Sequence, residues 1–112
     1  MSRREHIIRN SPFPVLDGTK WFLWPEADNP DFGGFVDATL INAGHWESES
    51  TNCVVSMCGP TGVCLDIGAH IGYYTVLLSR LMGPQGYVVG VEGDPTRAAL
   101  CAQHLVANNC GN

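Results

Sequence analysis

The stretch Val-Cys-Leu-Asp-Ile-Gly-Ala-His-Ile-Gly, residues 63–72, carries the clearest structural pattern in the sequence. Its first half, residues 63–67, is a short apolar run between glycine signals, which is typical of a strand buried on both faces. The glycine-rich second half, residues 68–72, predicts a tight loop. Apolar side chains then recur at helical spacing until Gly83 and Pro84 end the pattern. The stretch therefore predicts a strand, a loop and a helix in succession.

The sequence that follows this helix repeats the same pattern. Residues 86–92 are a second apolar run and predict a second strand. Asp94 and Pro95 are typical of the N-cap and first turn of a further helix, which the turn formers at residues 108–111 end. The apolar face of this helix is predicted to comprise Ala98, Cys101, Leu105 and Val106.

A helix is also predicted before the first strand, over residues 48–57, and Gly59 and Pro60 stop it. The order of helix, strand, helix, strand and helix indicates an α/β unit, with two neighbouring parallel strands joined by a right-handed crossover. A doubly wound sheet needs several more strands, so residues 46–112 are interpreted as the first half of such a domain.

Residues 1–45 have a different texture and are interpreted as an irregular N-terminal extension with short strand and turn elements. Residues 21–24 are a candidate aromatic strand. Residues 35–43 form a short helix or an extended segment ended by Gly44, and the pattern does not distinguish the two. Turn formers cluster at residues 11–14, 17–18, 29–31 and 33–34.

Composition excludes several classes of protein. Apolar residues make up 45% of the 112 residues and charged residues 15%, which is the composition of a folded domain. The net charge is −5, and Arg3, Arg4 and Arg9 are half of the six basic residues. No basic face can follow a phosphate backbone, so nucleic acid is not a predicted partner. Neither a signal peptide nor an apolar run of about 20 residues is present, so no membrane span is predicted.

The cysteines indicate a reduced, cytoplasmic protein. There are five of them, an odd number, and no two are spaced Cys-x-x-Cys. Cys64 and Cys101 lie within apolar runs, where a free thiol acts as a small hydrophobic group. No metal site is predicted, because the spacing of cysteine and histidine matches no standard zinc pattern.

The loop and the second strand together indicate a ligand. Gly68 and Gly72 let a ligand approach the backbone, and the helix that follows favours an anionic group at its N-terminus. Glu92 comes 24 residues after Gly68, at the end of the next strand, where an acid accepts hydrogen bonds from ribose hydroxyls. An adenosine-containing ligand is predicted. An oxidoreductase with a nicotinamide cofactor is disfavoured, because His70 and Tyr73 stand where the dinucleotide fingerprint has glycine.

Several of these motifs together resemble the FkbM-type class I methyltransferases that use S-adenosylmethionine. Residues 64–75 carry the Asp-x-Gly-Ala-x-x-Gly motif, and residues 83–88 and 91–95 also match. The resemblance extends over residues 44–111, including Gly44-His45-Trp46-Glu47 upstream and Asn108-Asn109 at the end. The sequence departs from the family at His70, where Asn is common, and at Gly93, where proline is more usual.

The resemblance implies a Rossmann-like fold truncated after the second strand and its helix, with this chain supplying the cofactor-binding half. The implied cofactor is S-adenosylmethionine, and the implied reaction is methyl transfer to an oxygen, a hydroxyl of a small-molecule or glycan acceptor. No catalytic residue is assigned. The implied cofactor-binding residues are Glu47, Asp66, Gly68, Ala69, His70, Gly72, Thr75 and Glu92.

For some of these residues, two roles are open. Asp66 either contacts the cofactor or braces the loop, and Glu47 either closes over the methionyl end or is an ordinary acid at a helix entry. His70 is expected to act through its backbone rather than as a base. Thr75 is a candidate donor to the cofactor carboxylate, and Tyr74 is expected in the core.

The alternative function is a catalytically inactive fragment or a partner-dependent binding module. Two parallel strands leave both outer edges of the sheet unpaired, and unpaired edges promote association. Self-association through these edges is therefore predicted under either reading.

Overall fold

Glycine, proline and capping residues delimit the elements of the computed structural model, which describes residues 3–25 and 35–111. The predicted turns at residues 29–31 and 33–34 lie outside the described residues. The chain divides into two compact units, Met1–Ser48 and Glu49–Asn112. The boundary predicted from the sequence, after residue 45, lies three residues earlier. Among the described residues, four α-helices accompany two sheets of two strands each, which is an α/β architecture.

The first unit contains strand β1 (Arg4–Ile7), strand β2 (Lys20–Leu23) and helix α1 (Phe35–Ala43), with a 3-10 turn at Pro14–Leu16. The two strands pair antiparallel, with Arg4 opposite Leu23. β2 confirms the predicted aromatic strand. Residues 35–43, for which helix and extended segment were both open, form the helix α1. β1 was not predicted, because its four residues carry no clear apolar alternation.

A buried acid connects α1 to the end of β2. Asp37 is almost fully buried on α1. Its Oδ2 accepts a hydrogen bond from the backbone N–H of Trp24 at 2.8 Å and lies 3.0 Å from the guanidinium of Arg3. These bonds stabilise a carboxylate that burial alone would destabilise. The buried apolar side chains of this unit include Ile8, Leu16, Trp21, Leu23 and Leu40.

Helix α2 (Ser48–Met57) begins at the last residue of the first unit and otherwise belongs to the second. The second unit continues with strand β3 (Gly62–Ile67), helix α3 (Tyr73–Met82), strand β4 (Gly86–Val91) and helix α4 (Pro95–Ala107). β3 and β4 pair in parallel, from Gly62 opposite Gly86 to Ile67 opposite Val91. The predicted order of helix, strand, helix, strand and helix and the predicted parallel pairing are confirmed.

The predicted helix ends are also confirmed. Gly83 closes α3 with a φ of 70°, which glycine adopts without the steric cost of a side chain. Asp94 is the N-cap of α4, and its carboxylate accepts the backbone N–H of Arg97 at 3.2 Å. Asn108 follows the last residue of α4, as predicted.

Three burial predictions were wrong. β3 is covered on one face, and its alternate side chains Val63, Leu65 and Ile67 are exposed, because no described element of the second unit packs over them. Val106 is 79% exposed, and Leu100 and His104 are buried on α4 with Cys101 instead. In α3 the buried ring is that of Tyr73 rather than Tyr74, because its hydroxyl lies 2.8 Å from Thr51 Oγ1 on α2.

Within residues 3–25 and 35–111, no helix combines the length and the apolar character that crossing a membrane requires.

Candidate functional site

The loop between β3 and α3 has an unusual backbone. Three of its residues have positive φ, with values of 78° at Gly68, 57° at His70 and 95° at Gly72. The backbone N–H groups of Gly68 and Ala69 both donate to the carbonyl oxygen of Val91, at 2.8 and 2.9 Å. The loop is therefore attached to the end of β4, at the carboxyl edge of the parallel sheet, where open α/β sheets bind ligands.

The two glycines of the loop have different roles. A Cβ on Gly72 would lie 2.7 Å from Cys101 Sγ, so α4 occupies the space that a side chain would need. Gly72 thus serves the packing of α3 against α4. A Cβ on Gly68 would meet no atom within 4 Å, so the space beside its backbone is open. Gly68 is the position at which a ligand can approach the main chain.

The backbone of His70 adopts a conformation that few residues other than glycine adopt. Its φ of 57° is in the left-handed region, which costs an L-residue roughly 1–2 kcal/mol. Its backbone N–H donates to Glu92 Oε1 at 2.8 Å. The loop geometry thus depends on the backbone of His70.

Glu92 is the acid that joins the loop to the next helix. Its Oε1 accepts from His70 and its Oε2 accepts from the backbone N–H of Asp94 at 2.9 Å. These two bonds, that from Asp94 first, hold the pKa of the Glu92 carboxyl below its ordinary value, so the group is ionised at neutral pH. Each carboxylate oxygen has a second lone-pair site, so both can accept a further hydrogen bond.

Asp66 and Thr75 are paired with each other. The Thr75 hydroxyl, fully buried near the start of α3, donates to Asp66 Oδ2 at 2.6 Å. A hydroxyl has one proton to donate, so Thr75 positions Asp66 and would have to break this bond to donate to a cofactor. Oδ2 keeps a second lone-pair site and Oδ1 keeps both, so Asp66 can still accept a hydrogen bond from a ligand.

Two residues that support this arrangement were missed in the sequence. A Cβ on Gly90, on β4, would lie 2.9 Å from Thr75 Oγ1, so α3 packs this closely only against glycine. An interior strand glycine is a known sign of close approach. His104 on α4 is fully buried, and its Nδ1 donates to the carbonyl of Ile71 at 2.6 Å. Because a carbonyl only accepts, Nδ1 carries the proton.

The structure thus brings together Asp66, the loop from Gly68 to Gly72, Thr75 and Glu92. Glu47 belongs to the first unit, in the segment between α1 and α2, with a φ of 46°. Burial raises the pKa of the Cys101 thiol, so this residue is a neutral packing group behind the loop. No cluster of three or more metal-ligating side chains occurs within residues 3–25 and 35–111.

A cavity of about 480 Å³ lies elsewhere in the second unit. It is lined at the amino end of β4 by residues that include Arg80, Tyr87 and Asn109, and by none of the predicted site residues. Ligand crevices of open α/β sheets lie at the carboxyl ends of the strands, so the loop and Glu92 remain the candidate site.

Comparisons with protein-family models, with curated proteins and with solved structures found no match for this chain, so the site rests on its own geometry.

Proposed function

We propose that the second unit is the cofactor-binding part of a class I methyltransferase with a Rossmann-like sheet, and that its cofactor is S-adenosylmethionine. One observation carries the proposal. Glu92, at the carboxyl end of β4, accepts a hydrogen bond from the backbone N–H of His70 in the loop that follows β3, at 2.8 Å. The methionyl group of the cofactor would need the glycine loop, and its ribose would need the strand-end acid. The hydrogen bond joins these two features at the carboxyl edge of the sheet.

The residues present fit this cofactor. The open space beside Gly68 admits a ligand to the backbone. Gly72, the N-cap of α3, provides no side-chain cap, which leaves the N-terminus of the helix suited to a carboxylate. Glu92 is ionised and retains lone pairs for two ribose hydroxyls. Asp66, Ala69 and His70 complete the set that would hold the cofactor.

S-adenosylmethionine supplies a methyl group on a sulfonium, which an acceptor oxygen can displace. The chain's contribution is placement, because holding donor and acceptor in line accounts for much of the catalysis in such a transfer. Glu92 would orient the ribose, and the loop would orient the methionyl end. The acceptor class that we propose is a hydroxyl of a small molecule or glycan.

Calorimetric titration of S-adenosylmethionine, S-adenosylhomocysteine and NAD into the folded chain tests the proposal. We expect the first two to bind and NAD to give no binding heat. Glu92→Ala should weaken S-adenosylhomocysteine binding by roughly ten- to hundredfold, because a charged acceptor of two hydrogen bonds is lost. Glu49→Ala, which removes an exposed acid on α2, is the matched control and should bind like the wild type.

Two further variants separate the roles in the loop. Glu92→Asp should keep part of the affinity, because the charge remains and only reach is lost. His70→Asn should change affinity little, because Asn also adopts positive φ and the backbone N–H is retained. Wild-type affinity in Glu92→Ala, with binding abolished in His70→Asn, would show that these roles are assigned wrongly.

A second candidate is a binding module without catalysis that works with a partner. The exposed apolar side chains on one face of the β3–β4 sheet favour it, because contiguous apolar patches mark interaction sites. A folded chain that binds none of the three ligands would support this candidate over the methyltransferase.

A further inference from the structure

Two cysteine sulfurs are in contact in the second unit. Cys58 directly follows the last residue of α2, and its backbone N–H donates to the carbonyl of Val54, which continues the helical hydrogen bonding. Cys64 is the third residue of β3. Their Sγ atoms are 4.0 Å apart, and both side chains are half-buried, so a small solute can reach them.

The other three cysteines have different surroundings. Cys53 Sγ lies 3.4 Å from the thioether sulfur of Met57, which cannot form a disulfide. Cys101 is buried, with its sulfur 4.0 Å from the Thr75 hydroxyl. Cys110 Sγ lies 3.7 Å from the carbonyl of Asn108. All five cysteines are within the described residues, and Cys58 and Cys64 are the pair whose sulfurs meet.

We propose that Cys58 and Cys64 form an oxidisable dithiol, a modification site that closes an intramolecular disulfide in the presence of a peroxide. This site is independent of the proposed cofactor function. A disulfide bond is about 2.05 Å long, so the sulfurs must approach by about 2 Å, which rotation of the two side chains can supply. The exposed turn between them imposes little resistance, because a Cβ on Gly59 or Gly62 would meet no atom within 4 Å.

The chemistry balances with the peroxide as the oxidant. The thiolate of one cysteine attacks a peroxide oxygen, so an S–O bond forms, the O–O bond breaks, and the leaving hydroxide takes a proton to become water. The second thiolate attacks the sulfenic sulfur, so the S–S bond forms and the S–O bond breaks, releasing a second water. Two sulfurs together lose two electrons, and hydrogen peroxide is reduced to two waters.

The environment of the pair sets how the reaction depends on pH. Burial, followed by the hydrogen bond and charge of Cys64, raises the pKa of the Cys58 thiol above its ordinary value of 9.0. Thiolate is the reactive form, so closure should be slow at neutral pH and should accelerate as the pH rises through and beyond 9.0.

The disulfide would join the end of α2 to the strand that carries Asp66, two residues after Cys64. The test begins with fully reduced protein treated with one equivalent of hydrogen peroxide at a pH above 9.0, the range in which closure should be fastest. The protein is then unfolded in denaturant with a maleimide, and the adducts are counted by intact mass. Reduced protein has five thiols to label, and we expect the oxidised protein to lose two of these labels while remaining a monomer on a non-reducing gel.

Matched variants identify the pair. Cys53→Ser removes the nearest other thiol in the sequence and should still lose two labels on oxidation. Cys58→Ser and Cys64→Ser each lack the second thiol, so each should lose no label to a disulfide and at most one to a sulfenic acid, which intact mass identifies by its added oxygen. Retention of all labels in the wild type, loss of two labels in Cys58→Ser, or a disulfide-linked dimer would each overturn the proposal.

Discussion

The two faces of the β3–β4 sheet differ in what covers them. On the inner face, Cys64, Asp66 and Val88 are half-buried, and α3 approaches so closely that Cβ atoms on Gly86 and Gly90 would lie within 3 Å of its side chains. On the outer face, six large apolar side chains are between 46% and 78% exposed. They are Val63, Leu65, Ile67, Tyr87, Val89 and Val91.

The comparison shows that strand composition and strand burial are separate properties. The outer residues lie opposite one another in register, Val63 to Tyr87, Leu65 to Val89 and Ile67 to Val91, so they form one contiguous apolar surface. Parallel sheets are ordinarily covered on both faces, and this surface has the composition of a covered one. Burial on the inner face comes from α3, whose side chains Met82 and Thr75 approach the glycines of β4.

The largest difference between the faces should appear when one leucine is truncated on each side. Leu77 on α3 is fully buried, whereas Leu65 on the outer face is 63% exposed. Leu77→Ala should lower the free energy of unfolding by about 2–5 kcal/mol, because it leaves a cavity, and Leu65→Ala should cost less than about 1 kcal/mol. Urea unfolding followed by circular dichroism measures both. Equal losses would show that the outer face is also packed.

Filling the narrow gap on the inner face should have the next largest effect. In Gly90→Ala the new methyl group would lie 2.9 Å from Thr75 Oγ1, so α3 must shift. We expect a loss of about 1–3 kcal/mol in the free energy of unfolding, as for other overpacked sites. Gly93→Ala, where a Cβ would meet no atom within 4 Å, is the control and should cost much less. A Gly90→Ala protein as stable as the control would contradict the close packing.

The outer face and the unpaired edges should make the chain self-associate. Leu65→Lys puts a charge in the centre of the outer surface and should weaken association at least about tenfold, the equivalent of about 1.4 kcal/mol. Val106→Lys is the matched control, because Val106 is 79% exposed but lies on α4. Sedimentation velocity over a range of concentrations measures the change. A wild-type chain that stays monomeric at all concentrations would contradict self-association.

The smallest effect should come from the Glu92 carboxylate, which lies at the carboxyl end of β4 and belongs to neither face of the sheet. The backbone N–H groups of Asp94 and His70 lower the pKa of Glu92 in the folded state, so its contribution to stability is present above the unfolded pKa, near 4.5. That contribution is lost as the pH falls through the lower folded pKa. Glu92→Gln should therefore differ from the wild type in stability above pH 4.5 and approach it in more acidic solution. Thermal unfolding at a series of pH values measures this, and a constant difference would contradict it.

Much of the second unit could be predicted because its signals are local. Gly83 and Asp94 act within one helical turn of the ends they mark, and the strand–loop–helix pattern of residues 62–82 is continuous in the sequence. The location of Glu92 at the end of β4, beside the loop, also followed from the element order. The first unit was harder, since β1 carries no periodic signal and α1 depends on the buried contacts of Asp37.

Local sequence signals are enough to predict the order of elements, the parallel pair of strands and the glycine loop with its acid, because each follows from periodicity and from the backbone preferences of a few residues. The contacts that those residues make depend on the folded arrangement of the helices and strands. Thr75 donates to Asp66 nine positions away, Gly72 is packed by Cys101 from α4, and one face of the sheet is covered while the other is exposed. These outcomes depend on how closely α3 and α4 pack and on which face of the sheet α3 covers. The local conformational preferences of the chain specify neither.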